Sequence, residues 1–219
     1  MTVRAGRLLL CIGLLGGVAA IATLISARSR YVRETTRLRA GMSPVERGRA
    51  DALLQAASER DALLLQFVQR QAAGDDAVHL ALDATAGTLA LDRGAVRLRT
   101  MPVRIGAERR VGSPPDTLRI PVPRGLRRIE RLLGPSDTLE LPAWLWIDRG
   151  LPVPTVRHGA GWTGTGAILT SGGTLLYTLP TAGPLADSRY VMPGAVRLAP
   201  ADFAAVRESL RAGLRVWFF

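Results

Sequence analysis

The spacing of hydrophobic and polar positions changes along the chain. Between Leu8 and Ala27 no charge interrupts an apolar run of about 20 residues, enough for one helical crossing of a bilayer. From Ser43 to Ala73 apolar side chains recur at helical spacing, and from Ala77 onward the period falls to two, which is typical of half-buried strands. We therefore predict a membrane anchor or signal segment at 1–28, a helical stalk at 29–75 and a β-domain at 76–219.

The apolar segment has two interpretations. Arg4 and Arg7 precede it, and Ala20-Ile21-Ala22 has the form of a signal-peptidase site, which fits a cleaved secretory signal. Apolar character continues through Leu24 and Ile25, beyond that site, and this favours an uncleaved single-span anchor. Arginines after the segment outnumber those before it, so the positive-inside rule taken alone would keep the following domain in the cytoplasm.

A long helix is predicted to begin at a capping box. Ser43 would cap it, Pro44 would take its first position, and Glu46 would reach back to the backbone of Ser43. Gly74 would end it. The apolar stripe of this helix leaves two alternatives open: a stalk that self-associates through residues 44–73, or a helix packed on its own β-domain.

The β-domain is predicted to open as an antiparallel meander and to close with a strand. In the meander, His79 alternates with apolar neighbours, which places it on the outer face of the first strand. Prolines between Pro121 and His158 are expected to break any long element there. The predicted strands and helix are 78–83, 89–91, 96–99, 103–106, 138–141, 144–147, a hairpin around 170–173, a strand at 174–180, a helix at 200–211 and a strand at 214–219.

Composition and charge narrow the chemistry. All 29 basic residues are arginine and the net charge is +11, which favours anionic partners or reflects an arginine-rich composition alone. The single cysteine, Cys11, lies in the apolar segment, so the β-domain has neither a disulfide nor a thiol nucleophile. Two histidines far apart predict no metal site, and no cofactor is expected. The pairs Arg109-Arg110 and Arg127-Arg128 lack interleaved aromatic residues, so no nucleic acid partner is predicted.

The C-terminal quarter carries a more specific signal. Met192-Pro193-Gly194-Ala195-Val196-Arg197-Leu198 is followed by a Pro-Ala-Asp helix start and a closing apolar strand. This order resembles the end of the L,D-transpeptidase catalytic domain, which reads Ser-His-Gly-Cys-Ile-Arg-Leu and uses its cysteine to attack the peptidoglycan stem peptide. Pro102-Val103-Arg104-Ile105-Gly106 and the stretch from Ser113 to Ile120 extend the likeness. The resemblance implies a mainly β fold, an L,D-transpeptidase-like sandwich or barrel with a short C-terminal helix.

The same resemblance implies that the catalytic site has been lost. Ala195 stands at the cysteine, Pro193 and Leu179 at the two histidines, and Met192 at the serine. An alanine methyl has no lone pair to donate, so acyl-enzyme chemistry has no nucleophile here. We expect a groove that binds without reacting, with Arg197, Gly194, Tyr177 and Trp144 as the binding residues.

The sequence thus predicts a membrane-anchored, inactive L,D-transpeptidase-like domain on the extracytoplasmic side of the cytoplasmic membrane, where the substrates of that family lie. Its partners would be the membrane and either peptidoglycan stem peptides or an envelope protein. The alternative is an active envelope enzyme, a transpeptidase or amide hydrolase with a displaced nucleophile such as Ser171, Ser188 or Thr178. A third possibility is a structural anchor that works through its self-associating helix.

Overall fold

The computed structural model describes residues 26, 28–30, 32–112 and 115–219 of the 219-residue chain. The predicted membrane segment, Leu8 to Ala27, lies outside these residues apart from Ser26, as do Cys11 and the Ser113-Pro114 pair. Over the part described, no helix has both the length and the apolar character needed to cross a membrane. Chain packing defines two compact units, 1–62 and 63–219, so residues 63–75 of the predicted stalk group with the second unit.

The first helix with defined ends, α1 (Pro44–Ala73), begins at the predicted capping box. The Ser43 backbone N–H donates to Glu46 Oε2 at 2.8 Å, and the Glu46 N–H donates to Ser43 Oγ at 3.3 Å. At the other end Gly74 N–H donates to the carbonyl of Arg70 at 3.1 Å, which closes the last turn. Both predicted ends of this helix are confirmed.

Most of α1 is exposed to solvent. Ala72 is its one buried residue, whereas the apolar side chains of Leu53, Leu54, Leu64 and Phe67 are each more than half exposed. The exposed apolar surface is compatible with a helix that pairs with a second copy. Self-association through residues 44–73 stays a prediction.

The second unit is mainly β and is built around a closed eight-stranded barrel. The barrel order is β1-β12-β6-β9-β10-β11-β3-β2, while β4 pairs with β5 and β7 pairs with β8 in two small separate sheets. The predicted mainly β fold with a short C-terminal helix is confirmed. The strands are β1 (Val78–Asp83), β2 (Thr88–Arg93), β3 (Val96–Ile105), β4 (Arg109–Val111), β5 (Leu118–Ile120), β6 (Gly125–Leu133), β7 (Thr138–Glu140), β8 (His158–Ala160), β9 (Ala167–Thr170), β10 (Leu175–Thr178), β11 (Val196–Leu198) and β12 (Arg215–Phe218).

The predicted meander forms β1, β2 and β3, which pair antiparallel in chain order. The two short stretches predicted at 96–99 and 103–106 are one strand, since β3 continues through Pro102 to Ile105. Alternate residues of the meander, including Leu80, Leu82 and Leu89, are fully buried inside the barrel. The period of two in the sequence therefore reports the inward face of the sheet.

The last strand closes the barrel. β12 pairs parallel with β1, placing Val216 opposite Leu80, and antiparallel with β6 on its other side. The predicted C-terminal helix is shorter than expected: α3 (Pro200–Val206) is followed by a 3₁₀ turn, Arg207–Ser209. Phe203 and Val206 of α3 are buried against the barrel core. The apolar C-terminal end is thus a central strand of the sheet.

Two predictions between Pro121 and His158 are wrong. The region contains a nine-residue barrel strand, β6, because Pro123 and Pro135 flank that strand and do not interrupt it. Residues predicted as a strand at 144–147 form a helix, α2 (Trp144–Asp148). The Leu145 N–H donates to the Pro142 carbonyl at 3.0 Å, so the proline stands before the helix, where its missing donor is not needed.

His79 is buried and does not lie on an open outer face as predicted, with an exposed fraction of only 1%. Its ring Nδ1 lies 3.0 Å from the carbonyl oxygen of Ala77, and together with Gln69 and Ala72 it lines a cavity of about 300 Å³. Nearby, the buried Asp75 carboxylate forms an ion pair with Arg215, with Oδ1 and Nη1 2.7 Å apart. The C-terminal turns of α1 therefore cover the outer face of β1.

Candidate functional site

Ala195, the residue that the sequence resemblance aligns with a cysteine, lies immediately before β11 and is fully buried. Its methyl group belongs to an apolar cluster that includes Leu141, Leu175 and Leu185. Its carbonyl accepts the Gly106 N–H at 2.9 Å, and its own N–H donates to the Met192 carbonyl at 3.0 Å. The backbone at this position is held from both sides, and the side chain points into a closed apolar core.

Gly194 is required by the turn that delivers Ala195 to the sheet. Its φ of +69° lies in the left-handed region that favours glycine. A Cβ here would also come within 3.0 Å of the Ile120 side chain and 3.1 Å of the Pro121 carbonyl oxygen. The predicted Gly194 site thus has a firm structural role, and its exposed side borders a groove.

The register of β10 and β11 places Leu179 relative to Ala195. The two strands run parallel, with Leu176 opposite Val196 and Thr178 opposite Leu198. At about 3.3 Å per residue, Leu179 lies roughly 13 Å along the strands from the level of Ala195. Leu175 lies level with Ala195 and shares its apolar cluster. The correspondence of Leu179 to one of the family's histidines stays a prediction.

Tyr177 is fully buried, and its hydroxyl accepts a hydrogen bond from the Met192 N–H at 3.4 Å. Burial raises the pKa of the Tyr177 phenol, so it stays neutral over the physiological range. The side chain supports the turn before Ala195 from inside the core. The sequence predicts that Tyr177 contacts a ligand, but the structure leaves no opening to this buried side chain.

Arg197 is also an internal residue, only 7% exposed. Its guanidinium donates to the carbonyl oxygens of Ser188 at 2.7 Å, Tyr190 at 3.0 Å and Asp187 at 3.3 Å. These bonds hold the loop between β10 and β11 against the sheet. Its predicted role in binding a stem peptide stays a prediction, and the geometry gives it the task of positioning that loop.

Two further arginines hold the same loop. Arg104 donates to the Ser188 carbonyl at 3.0 Å, and Arg149 donates to the Pro184 carbonyl. The Arg149 guanidinium also lies 5.2 Å from the centre of the Tyr190 ring. The Tyr190 hydroxyl donates to Asp148 Oδ2 at 2.8 Å, and burial together with this hydrogen bond raises the Tyr190 pKa strongly. The loop is thus held in two ways, through several of its backbone carbonyls and through its one aromatic side chain, Tyr190.

A groove of about 280 Å³ runs beside this turn. Pro193 and Gly194 form part of one wall, and Trp144 from α2 lines it as predicted. Its other apolar surface comes from Pro121, Pro123, Leu139, Leu141, Pro142, Leu169 and Leu175. Its charged lining residues are Arg127, at the hairpin turn Gly172-Gly173, and Glu140. The groove therefore combines apolar side chains with a similar share of polar surface, and it holds a cation at one place.

The two tryptophans of α2 lie in different places: Trp144 lines the groove, and Trp146 belongs to the core. Trp144 is partly exposed, whereas Trp146 is buried and meets Trp162 edge to face, with ring centres 6.2 Å apart. A Cβ at Gly159 or Gly183 would overlap the Trp162 indole. The glycine-rich stretch around Trp162 thus packs an aromatic ring and is followed by β9, not by a phosphate-binding helix.

None of the three hydroxyls considered as displaced nucleophiles has an imidazole or carboxylate partner within the described residues. Thr178 Oγ1 is buried among backbone groups and contacts the carbonyl of Thr163 at 3.2 Å. Ser171 Oγ accepts the Arg128 N–H at 3.0 Å, and Ser188 is an exposed loop residue. His158 is exposed on β8. Activation of a serine or threonine by an adjacent base has no geometric support here.

Among the residues that the structure describes, no cluster of three or more His, Cys, Asp or Glu side chains is arranged to hold a metal ion. Sequence reasoning missed Arg127, a charged residue in the wall of the groove. It treated the Arg127-Arg128 pair only as a test for nucleic acid binding. A signal was present in the sequence, because an arginine two residues before Ile129 in a strand falls on the same side as that core residue.

Comparison with known proteins gives a structural likeness alone. No family model and no curated protein matches the sequence. The fold is similar to L,D-transpeptidases from Xylanimonas cellulosilytica (14% identity, TM-score 0.43, 66% of this chain and 61% of that one) and Mycobacterium smegmatis (20%, 0.43, 65% and 58%). It is likewise similar to Mycobacterium tuberculosis L,D-transpeptidase 1 (18%, 0.41, 65% and 62%). The chain spans about three fifths of these structures.

Proposed function

We propose that this chain is an L,D-transpeptidase-like binding or scaffolding module of the cell envelope that holds peptidoglycan stem peptides without cleaving or joining them. Residues 192–198 resemble the turn and strand of that family, and a groove lies beside the turn. The groove supports the proposal of peptide binding, and the burial of Ala195 supports the proposed absence of chemistry. In this proposal the module acts by binding the peptide and catalyses no reaction.

The burial of Ala195 is the observation that carries the proposal. A nucleophile must reach a carbonyl carbon of the substrate, and this side chain is fully enclosed by apolar neighbours. The residue level with it on the adjacent strand is Leu175, which can neither accept nor donate a proton. The enclosed position of Ala195 and its leucine neighbour support the proposal that this site binds without reacting.

The groove suits an extended peptide better than a compact ligand. Its walls combine proline rings and the Trp144 indole with the apolar side chains of Leu141 and Leu175. Such surfaces hold short side chains by burial, and the exposed turn at Gly172-Gly173 forms part of the groove's rim. The same walls would accept a segment of an envelope protein with similar chemistry.

The test uses the full chain purified in detergent and a disaccharide tetrapeptide as the probe. Titration calorimetry is expected to show saturable binding. Mass spectrometry after incubation with the probe, and separately with a carbapenem, is expected to return the unmodified protein and the unmodified muropeptide. A covalent adduct, or a trimmed or cross-linked product, would establish the alternative of an active envelope enzyme. Absence of binding would remove the stem peptide as the ligand.

The proposed location is the extracytoplasmic side of the cytoplasmic membrane, with the segment from Leu8 to Ala27 as a single-span anchor. The length and apolar character of that segment support the anchor, and the proposed ligand supports the side. A periplasmic phosphatase reporter fused after Phe219 is expected to be active. Activity of a cytoplasm-specific reporter at the same fusion point, without phosphatase activity, would reverse the orientation.

A further inference from the structure

Arg127 differs from the other arginines around the groove. It lines the channel, its Nε is buried without a hydrogen-bond partner, and no carboxylate within the described residues forms an ion pair with it. The other charged lining residue, Glu140, is neutralised by Arg157 at 3.1 Å. The groove therefore presents one cation whose charge is not matched from inside the domain.

A buried donor on a charged group is costly to leave without an acceptor. Two other guanidinium groups of the barrel unit meet oxygens of the chain: Arg197 those of the loop carbonyls, and Arg215 that of Asp75. Arg127 alone combines a position in the groove wall with a buried unpartnered Nε among the described residues. The Nε itself is enclosed, but Arg127 as a whole is partly exposed and lines the groove, so an acceptor from outside the chain can approach the rest of its guanidinium.

The place of the Arg127 side chain depends on the hairpin turn beside it. Its backbone pairs with Val216 in the barrel, and its guanidinium lies against Gly172, where a Cβ would overlap it. Gly172 has a φ of +80°, which favours glycine. The glycine thus leaves room for the Arg127 guanidinium at this end of the groove.

We propose that Arg127 is the residue of this groove that binds a carboxylate, and that its ligand is a peptide with a free C-terminal carboxylate lying along the apolar walls. The planar guanidinium fork matches the two oxygens of a carboxylate. One cation among proline, leucine and tryptophan surfaces suits a monoanion on an apolar chain better than a phosphate dianion, which needs more donors. This assignment rests on the proposed binding function and gives it a specificity determinant.

The experiment compares two probes that differ only at the terminus, N-acetyl-D-alanyl-D-alanine and its C-terminal amide, by calorimetry with the full chain in detergent. The carboxylate is expected to bind about tenfold or more tightly than the amide. Arg127→Gln is expected to remove this preference. Arg128→Gln removes the same charge from the next residue, whose side chain reaches the Gly213 carbonyl, and is expected to keep the preference.

Each other outcome has a defined meaning. Equal affinity for the two probes in the natural chain, an equal loss in Arg128→Gln, or stronger binding of inorganic phosphate than of the carboxylate would overturn the assignment. Arg127→Lys keeps the charge without the fork and is expected to retain part of the preference, which decides the matter if Arg127→Gln unfolds. Binding of the dipeptide at Arg127 without binding of the muropeptide would keep this assignment and remove the stem peptide as the ligand.

Discussion

At the scale of single residues, the identity of a side chain and its surroundings together determine what it can do. The sequence shows that Ala195 has no nucleophilic atom, but only the structure shows that the site around it is closed by Leu175, Leu185 and Tyr177. The level of Leu179 relative to Ala195 could not be derived from the sequence, because strand register is set by pairing and not by distance along the chain. The sequence predicts Arg197 and Tyr177 as binding residues, whereas the contacts that the structure gives them are internal.

The closed site predicts that Ala195→Cys does not restore chemistry. A thiol in an apolar cluster has a raised pKa, and no histidine lies beside it to accept its proton. We expect the folded variant to show no carbapenem adduct at position 195 in peptide mapping, and its new thiol to react with a neutral thiol reagent about tenfold or more slowly than after unfolding.

Ser171→Cys is the matched control, because position 171 lies in the partly exposed hairpin turn. Its thiol is expected to react with the same reagent in the folded state, and also to form no adduct with the carbapenem, since no base lies near it. An adduct at position 195 would show that the cluster opens on the time scale of the reaction.

At the scale of elements, the pattern of the chain was informative where alternation or turn residues are regular, and it was misleading where a bulge interrupts the alternation or packing covers a face. The meander, the capping box of α1 and the hairpin at 170–173 follow from alternation and turn chemistry. In β6 a bulge between Ile129 and Arg131 shifts the register, so the strand lacks a clean period of two. Residues 144–148 form a helix because a proline turn precedes them, and two tryptophans alone do not specify a strand.

His79 illustrates the same limit. Alternation placed it opposite Leu80 and Leu82, which is correct, but the face it occupies is covered by the end of α1. Four consecutive residues of β1 are buried, so both faces of this strand are covered and its sequence pattern does not show what covers the outer one. The contact with α1 depends on residues brought together by the fold, so it has no local signal.

At the scale of the whole molecule, the boundary between units falls within α1. Residues 63–219 form one compact unit, although the change in period at Ala77 predicted that the domain begins near residue 76. The reason is visible in the segment from Gln69 to Asp75, which covers His79 and Ala81 and provides the carboxylate for Arg215. The hydrophobic period of the sequence identifies where the strands begin. The packing of the folded chain determines which preceding residues belong to the same compact unit.

This boundary predicts the behaviour of two fragments, 63–219 and 77–219. Both should give a β-dominated circular dichroism spectrum. The shorter fragment loses the buried Ala72 and the Asp75–Arg215 pair at 2.7 Å, and it exposes His79 to water. Because Arg215 is partly exposed, we expect a loss of only about 2 to 3 kcal/mol, which corresponds to a fall in Tm of about 5 to 10 °C for a unit of this size.

Two variants of fragment 63–219 separate the ion pair from the rest of the segment. Asp75→Asn removes the buried charge that faces Arg215, whereas Asp76→Asn removes an exposed charge from the next residue. Thermal unfolding should show a clear decrease for the first and a change within about 0.5 kcal/mol for the second. If fragment 77–219 unfolds at the same temperature as 63–219, the end of α1 contributes nothing to the barrel, and the domain begins at the first strand as the periodicity predicted.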